Sequence, residues 1–193
     1  VSSRKAAERL MKSITNFVEK KLRLRVNQEK SAIGRPWERV FLGYSYTSPK
    51  QTKIRVPEKS VKRFKAKMKQ IFRQGRGRNL GRLIKEDLNP MIRGWINYFK
   101  LAEVKKFAEG LDEWIRHRLR NIIWRQWKKP KTRYRKMLKL GLDENRAIRS
   151  AYNGRGAWWN SGQSHMNACF KKKYFDYIGL ISMLDVVVNN QRT

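Results

Sequence analysis

One cysteine, Cys169, stands among the 193 residues, and histidine occurs only at His117 and His165. A lone thiol forms no internal disulfide and anchors no Cys-rich zinc site, which fits a reducing compartment and excludes a zinc-dependent nuclease module. The two histidines lie too far apart in sequence, and are too poor in Cys or acidic company, to suggest a metal site. Acids are scarce as well, with 15 Asp plus Glu against 47 Lys plus Arg. Asp87, Asp112, Asp143, Asp176 and Asp185 are isolated from one another, and no Asp-Asp or Asp-x-Asp pair occurs. Two-metal phosphoryl transfer requires carboxylates converging on ions about 3.5–4 Å apart. These acids are therefore expected in caps, ion pairs and solvated positions. No apolar run is long enough to cross a bilayer, and no secretory signal opens the sequence.

The formal charge that results is +32. A compact body with that imbalance repels itself unless it meets a polyanion. Nucleic acid is the expected partner, because each neutralised phosphate releases condensed counterions. A membrane surface is the weaker alternative, since the basic residues spread along the whole sequence instead of flanking one anchor. Hydrophobic residues make up 40%, enough for a packed core and too many for wholesale disorder. The sequence opens on Val1, not Met, and a helical pattern begins almost at once, so a piece of a longer protein is expected.

The apolar spacing gives an α+β, predominantly helical fold. Residues 4–22 place Ala7, Leu10, Ile14, Phe17 and Val18 on one helical face, with Ser2 or Ser3 as cap. Leu22, Leu24 and Val26 alternate as in a strand, "NQEKS" turns the chain, and "RVFLGYSYT" reads as a second strand. A turn around Ser48 and Pro49 leads to "TKIRVP", a third. After Pro57 the pattern becomes helical. Val61, Phe64, Met68, Ile71 and Phe72 form a stripe on a helix whose other faces carry Lys62, Arg63, Lys65, Lys67, Lys69 and Arg73. "GRGRN" breaks it. Leu80, Leu83, Ile84 and Leu88 start another helix, which Asn89–Pro90 either kinks or restarts with an Asn cap. Met91, Ile92, Trp95, Ile96 and Phe99 continue its apolar face. A third helix, about 104–128, uses Val104, Phe107, Leu111, Ile115, Leu119 and Ile122, and three such stripes can shelter one another as a bundle. Beyond Pro130 comes a basic tail with "TRYRKMLKLGL", a helix in "DENRAIRSAYN", a Gly/Arg/Trp segment and a final apolar pattern.

Four motifs in this order, "VNQEKSAI" with "FLGYSYT", then "LNPMIRGWINYF", "RYRKMLKLGL" and "GRGAWW", resemble the C-terminal half of a bacterial group II intron-encoded protein, a reverse transcriptase that is also a maturase. The resemblance implies three regions: 1–56 as the end of the polymerase palm, 57–130 as the thumb or maturase X bundle, and 131–193 as a DNA-binding-like tail. It implies group II intron RNA, a DNA target or an RNA/DNA template–primer duplex, and the upstream fingers–palm half as partners. It also implies a bacterial cytoplasmic, nucleoid- or RNA-associated location. Roles in RNA splicing, RNA-templated DNA synthesis and retrohoming follow from it. The metal-holding acids of that family lie upstream, so Mg2+ is expected only with the missing palm, no cofactor is expected in this chain, and the chain alone is expected to be inactive as a polymerase. The rival reading is a general basic RNA-binding protein, ribosome-associated in type, with no polymerase connection.

Site residues follow from resemblance and residue chemistry together. Lys30 matches the palm lysine that approaches nucleotide phosphates, where an ammonium stabilises developing charge; the alternative is a solvated turn lysine. Phe41, Leu42, Gly43 and Tyr44 match the primer grip, with Gly43 admitting close backbone approach, or else form a buried strand. Lys62, Arg63, Lys67 and Lys69 are phosphate-contact candidates as a group. Arg93 lies off the apolar face of its helix and Tyr98 at its border, so both are RNA-contact candidates, while Trp95 and Phe99 read as core and Trp124 and Trp127 as structural. Arg133 and Arg135 belong to the basic tail and are candidates there. Gly154 and Gly156 argue for a loop in which Arg155, Trp158 and Trp159 offer charge beside stacking faces, the alternative being an aromatic anchor of the tail.

Overall fold

The computed structural model describes residues 3–47 and 52–190. Helix α1, Arg4–Lys20, is capped by Ser3, whose hydroxyl accepts from the Ala6 amide. It is amphipathic as its spacing predicts, yet no residue of it is buried. Leu10, Ile14 and Phe17 stand about half exposed.

The expected strand over Leu22, Leu24 and Val26 does not form. That stretch is irregular, and Arg23 takes a left-handed φ of 53°. The "NQEKS" turn is present, with the Asn27 side chain accepting from the Lys30 amide. "RVFLGYSYT" is not one strand either. A short 3-10 turn at Pro36–Glu38 leads to a tight reversal that bridges Phe41 to Tyr44, with φ of 47° at Leu42 and 75° at Gly43. Two successive positive-φ residues fold the chain back on itself, a conformation that glycine favours and leucine resists. Strand β1, Ser45–Tyr46, then pairs antiparallel with β2, Ile54–Arg55, in the register Ser45 to Arg55. The expected turn at Ser48 and Pro49 lies outside the described residues.

Helix α2, Glu58–Gln74, buries Val61, Phe64, Met68 and Phe72. A 3-10 turn at Gly75–Gly77 breaks it, and the Asn79 side chain caps α3, Leu80–Leu83. A π-helical turn at Ile84–Leu88 runs without interruption into α4, Asn89–Tyr98. Pro90 lacks an N–H and would crowd a carbonyl of the preceding α-turn. The wider turn, in which the Asn89 amide reaches the Ile84 carbonyl, accommodates the ring. Asn89 is thus inside the helix and is not a cap.

Helix α5, Lys105–Gln126, is the spine. Its face of Leu111, Ile115, Leu119 and Ile122 is buried as expected, whereas Phe107 is exposed. Six shorter helices follow: α6 Pro130–Lys139, α7 Glu144–Ala151, α8 Ala157–Gly162, α9 Ser164–Cys169, α10 Lys172–Tyr177 and α11 Met183–Asn190. Helices α8 and α11 pack on α5. One apolar cluster extends from Val56 through Phe64, Ile92 and Ile115 to Phe175 and Val187.

Buried polar groups stitch the C-terminal helices to this core. Asn89 donates to the Gly179 carbonyl at 2.7 Å and accepts from the Ile181 amide at 3.1 Å. Asp112, on α5, accepts from the Ser182 hydroxyl and from the amides of Met183 and Leu184, so it caps α11 from another helix. Arg120 donates to the carbonyls of Ser161 and Phe170. Such groups are costly to bury without partners and hold a defined arrangement once satisfied.

Candidate nucleic-acid interface

The basic helix α2 presents its charge on two flanks of the buried stripe. Lys62, Lys65 and Lys69 are spaced i, i+3, i+7 and share one flank, while Arg63 and Lys67, four apart, share the other. The four candidates expected to act as a group are therefore divided. Lys62 is also ion-paired with Glu58 at 2.7 Å, both side chains being exposed, an arrangement that contributes little to stability.

Arg63 and Lys67 edge a groove of about 460 Å3 between α2 and α4. Its lining includes Phe64, Met91, Trp95 and Tyr98. Phe64 and Trp95 lie 5.1 Å apart between ring centroids, and Trp95 and Phe99 4.8 Å, so an aromatic wall backs the two cations. Gly94 keeps the α4 side open, since a Cβ there would meet nothing within 4 Å. The Trp95 indole N–H is buried with no acceptor among the described residues.

The turn at 41–44 closes one end of this groove through Gly43. The Tyr98 hydroxyl donates to the Leu42 carbonyl at 2.8 Å, and the Tyr44 hydroxyl donates to the Tyr98 carbonyl. A Cβ on Gly43 would come within 2.9 Å of the Tyr98 oxygen. The close approach that Gly43 permits is therefore by Tyr98. Phe41 and Leu42, expected in a buried strand if not at a primer grip, are 70% and 71% exposed. The reversal points them away from any core.

The remaining candidates fall elsewhere. Lys30 is exposed on the turn held by Asn27, and Arg93 is exposed on α4 outside the groove lining. Arg133 is engaged within the fold, where its guanidinium lies 4.5 Å from the Trp124 ring centroid and its Nε donates to the Trp127 carbonyl. Desolvation accordingly lowers its pKa. Arg135, two residues on, is exposed. Trp158 and Trp159 sit on α8 and not in a loop, the loop ending at Gly156. Trp158 stacks on His117 of α5 at 4.0 Å and faces the Arg118 guanidinium at 4.4 Å, which makes it an anchor of the C-terminal segment. Trp159 is 43% exposed, with the Arg155 guanidinium 5.4 Å from its ring.

Every aspartate is engaged within the fold. Asp87 pairs with Arg78, Asp143 caps α7, Asp176 and Asp185 pair with Lys172, and Asp112 caps α11. Among the described residues no three His, Cys, Asp or Glu side chains converge to hold a metal ion. No helix among the described residues is long and apolar enough to cross a membrane.

Residues 61–141 match the family model for the group II intron, maturase-specific domain. The match supports a maturase role in group II intron splicing. It runs from α2 to the end of α6, so it contains Lys62, Arg63, Lys67, Lys69, Arg93, Tyr98, Arg133 and Arg135 and leaves out the 41–44 turn and the Trp158–Trp159 pair. A comparison with curated proteins finds no match.

Proposed function

We propose that this chain binds group II intron RNA through the α2–α4 groove and so favours the splicing-competent fold of the RNA. The observation that carries the reading is a coincidence of place. The groove edged by Arg63 and Lys67 and backed by Trp95 lies almost entirely within residues 61–141, the stretch that matches the maturase-specific domain. Cations beside aromatic faces suit phosphates with neighbouring bases. The protein's contribution to splicing is binding energy, since its aspartates are committed to caps and ion pairs.

Within a complete reverse transcriptase, the 41–44 turn braces the primer end beside the same groove, Lys30 approaches nucleotide phosphates, and a DNA target or template–primer duplex lies along the basic face. The exposed row Leu10, Ile14 and Phe17 on α1 supports a docking partner for that helix, the upstream fingers–palm half, which also supplies the Mg2+-holding carboxylates.

Competition binding tests the reading. Labelled group II intron RNA is displaced by unlabelled intron or by a length-matched unrelated RNA, at salt high enough to suppress bulk electrostatics. Preference for the intron is expected, and Arg63→Gln with Lys67→Gln is expected to lower the salt slope by about 1.8, from about 0.9 per phosphate contact. Equal displacement by both RNAs overturns the maturase reading in favour of a general RNA binder.

A further inference from the structure

A second basic hollow, of about 800 Å3, lies where α2 and α5 meet the C-terminal helices. Lys65 enters it from α2, Arg116 and Arg120 from α5, and Lys171 and Lys172 from the start of α10. Among the described residues Glu113 is the one acid in its lining. Lys172 is engaged by Asp185 at 2.6 Å and Asp176 at 3.9 Å. Lys65, Arg116, Arg120 and Lys171 form no ion pair with any described residue.

Arg120 is the most constrained of these. It is buried, and its guanidinium is fixed by two backbone carbonyls, which orient the cation without supplying a negative charge. Burial, and then the neighbouring charge of Arg116, bring its pKa down to about 10. Unpaired cations on a convex surface spread into water, whereas cations lining a hollow add their fields inside it. The half-buried Trp114 ring, with the Lys65 ammonium 5.7 Å from its centroid, and an open backbone at Gly110, where a Cβ would meet nothing within 4 Å, complete the site. The volume falls in the range of about 300–1,000 Å3 typical of small-ligand pockets, room for a nucleotide or two and not for a duplex.

We propose that this hollow binds an unpaired strand of nucleic acid, its phosphates on Arg116, Arg120 and Lys171 and a base against the edge of Trp114. The inference rests on reading the chain as a nucleic-acid binder and adds a site apart from the α2–α4 groove. Because Lys171 and Phe170 lie beyond residue 141, the site unites the matched domain with the segment that follows it. The ligand is recognised by its phosphodiester backbone, which RNA and DNA share.

Fluorescence anisotropy of labelled decamers, one of RNA, one of DNA and one a DNA duplex, tests it on the full chain. Both single strands are expected to bind more tightly than the duplex, and any difference between them identifies the preferred source. Arg116→Gln with Lys171→Gln is expected to weaken single-strand binding about tenfold and to lower its salt slope by about 1.4, from about 0.7 per phosphate contact. Lys105→Gln with Lys106→Gln, exposed at the start of α5 and outside both sites, serves as a charge-matched control with less than a twofold effect. Lys65→Gln with Lys171→Gln, which spares α5, repeats the measurement should the first variant unfold. Equal losses in hollow and control variants, or no loss in the hollow variants, overturn the proposal. Wild-type protein that binds structured intron RNA but no decamer sinks the hollow alone. Decamer binding without intron preference leaves the hollow standing and sinks the maturase reading.

Discussion

The phenol of Tyr98 donates to the carbonyl of Leu42 at 2.8 Å across 56 positions of sequence, and the hydroxyl of Tyr44 donates back to the carbonyl of Tyr98. The two rings stack at 6.0 Å with planes 14° apart. This pair fastens the 41–44 turn to α4, so the proposed primer-facing element and the RNA groove share one support. Tyr98, which its position at the edge of an apolar face marks as an RNA contact, is first of all that fastener.

Removing the Tyr98 hydroxyl is expected to cost about 0.5–1.5 kcal/mol, the usual net value of one such bond, and to act locally. Tyr98→Phe therefore leaves the helical core intact and speeds hydrogen exchange at the amides of Phe41 and Tyr44, which bridge the turn. Gly43→Ala acts more strongly. It places a Cβ 2.9 Å from the Tyr98 oxygen at a φ of 75°, and the left-handed conformation alone costs about 1–2 kcal/mol for a residue with a side chain. Unchanged exchange in both variants removes the fastener.

Asp112 gives a second prediction. It is 5% exposed and accepts three hydrogen bonds from Ser182, Met183 and Leu184. Asp112→Ala orphans these donors at the start of α11 and is expected to cost about 2–3 kcal/mol, between one lost charge-assisted bond and several. Urea denaturation reads the loss as a lower midpoint. A change below about 0.5 kcal/mol, the ordinary scatter of surface substitutions, contradicts the capping role.

Helices α2 and α5 are legible in the sequence because each carries an apolar stripe at helical spacing with polar residues between. The same rule finds α1, but periodicity reports which face is apolar and not what covers it, so the exposure of Leu10 and Phe17 is invisible to it. "RVFLGYSYT" looks like a strand because apolar runs carry no sign of a positive φ at Leu42. Half of the groove is in view from sequence: Arg63, Lys67 and Tyr98 stand out, while Trp95 reads as core. The clamps at Asn89, Asp112 and Arg120 escape it for another reason. Each pairs positions 41 to 92 residues apart, and no local pattern encodes such a partner. The signal at Asp112 is its place on the buried side of α5, one residue after Leu111.

His165 predicts a pH dependence. It is buried beside Trp124, its Nε2 has no partner among the described residues, and desolvation, with Arg146 adding to it, pushes its pKa from 6.5 down to about 4. The neutral imidazole is thus the folded form. Its contribution is fully present above pH 6.5 and is lost as pH falls toward 4, where the unfolded chain takes up a proton that the folded chain refuses. The loss is on the order of 2–3 kcal/mol. Denaturation midpoints measured from pH 7 to pH 4 are expected to fall more steeply in the wild type than in His165→Phe, and parallel slopes contradict the assignment.

Arg133 and Arg135 separate folding from binding within a single helical turn. Arg133 places its guanidinium over Trp124 and bonds the Trp127 carbonyl, where α5 ends and α6 begins. A partly desolvated cation–π contact contributes about 0.5–2 kcal/mol, and the hydrogen bond adds about 1 kcal/mol. Arg133→Ala is therefore expected to lower stability by about 1–3 kcal/mol and to leave the salt slope of RNA binding unchanged. Lysine at 133 restores charge without the planar stacking group, so Arg133→Lys recovers only part of the loss. Arg135 is exposed, and its guanidinium remains available to a phosphate. Arg135→Ala is expected to keep the denaturation midpoint and to lower the slope of affinity against salt by about 0.7–0.9, one phosphate contact. The reverse assignment, with Arg133→Ala changing the slope and Arg135→Ala changing the midpoint, would show that the packing on Trp124 gives way when RNA binds.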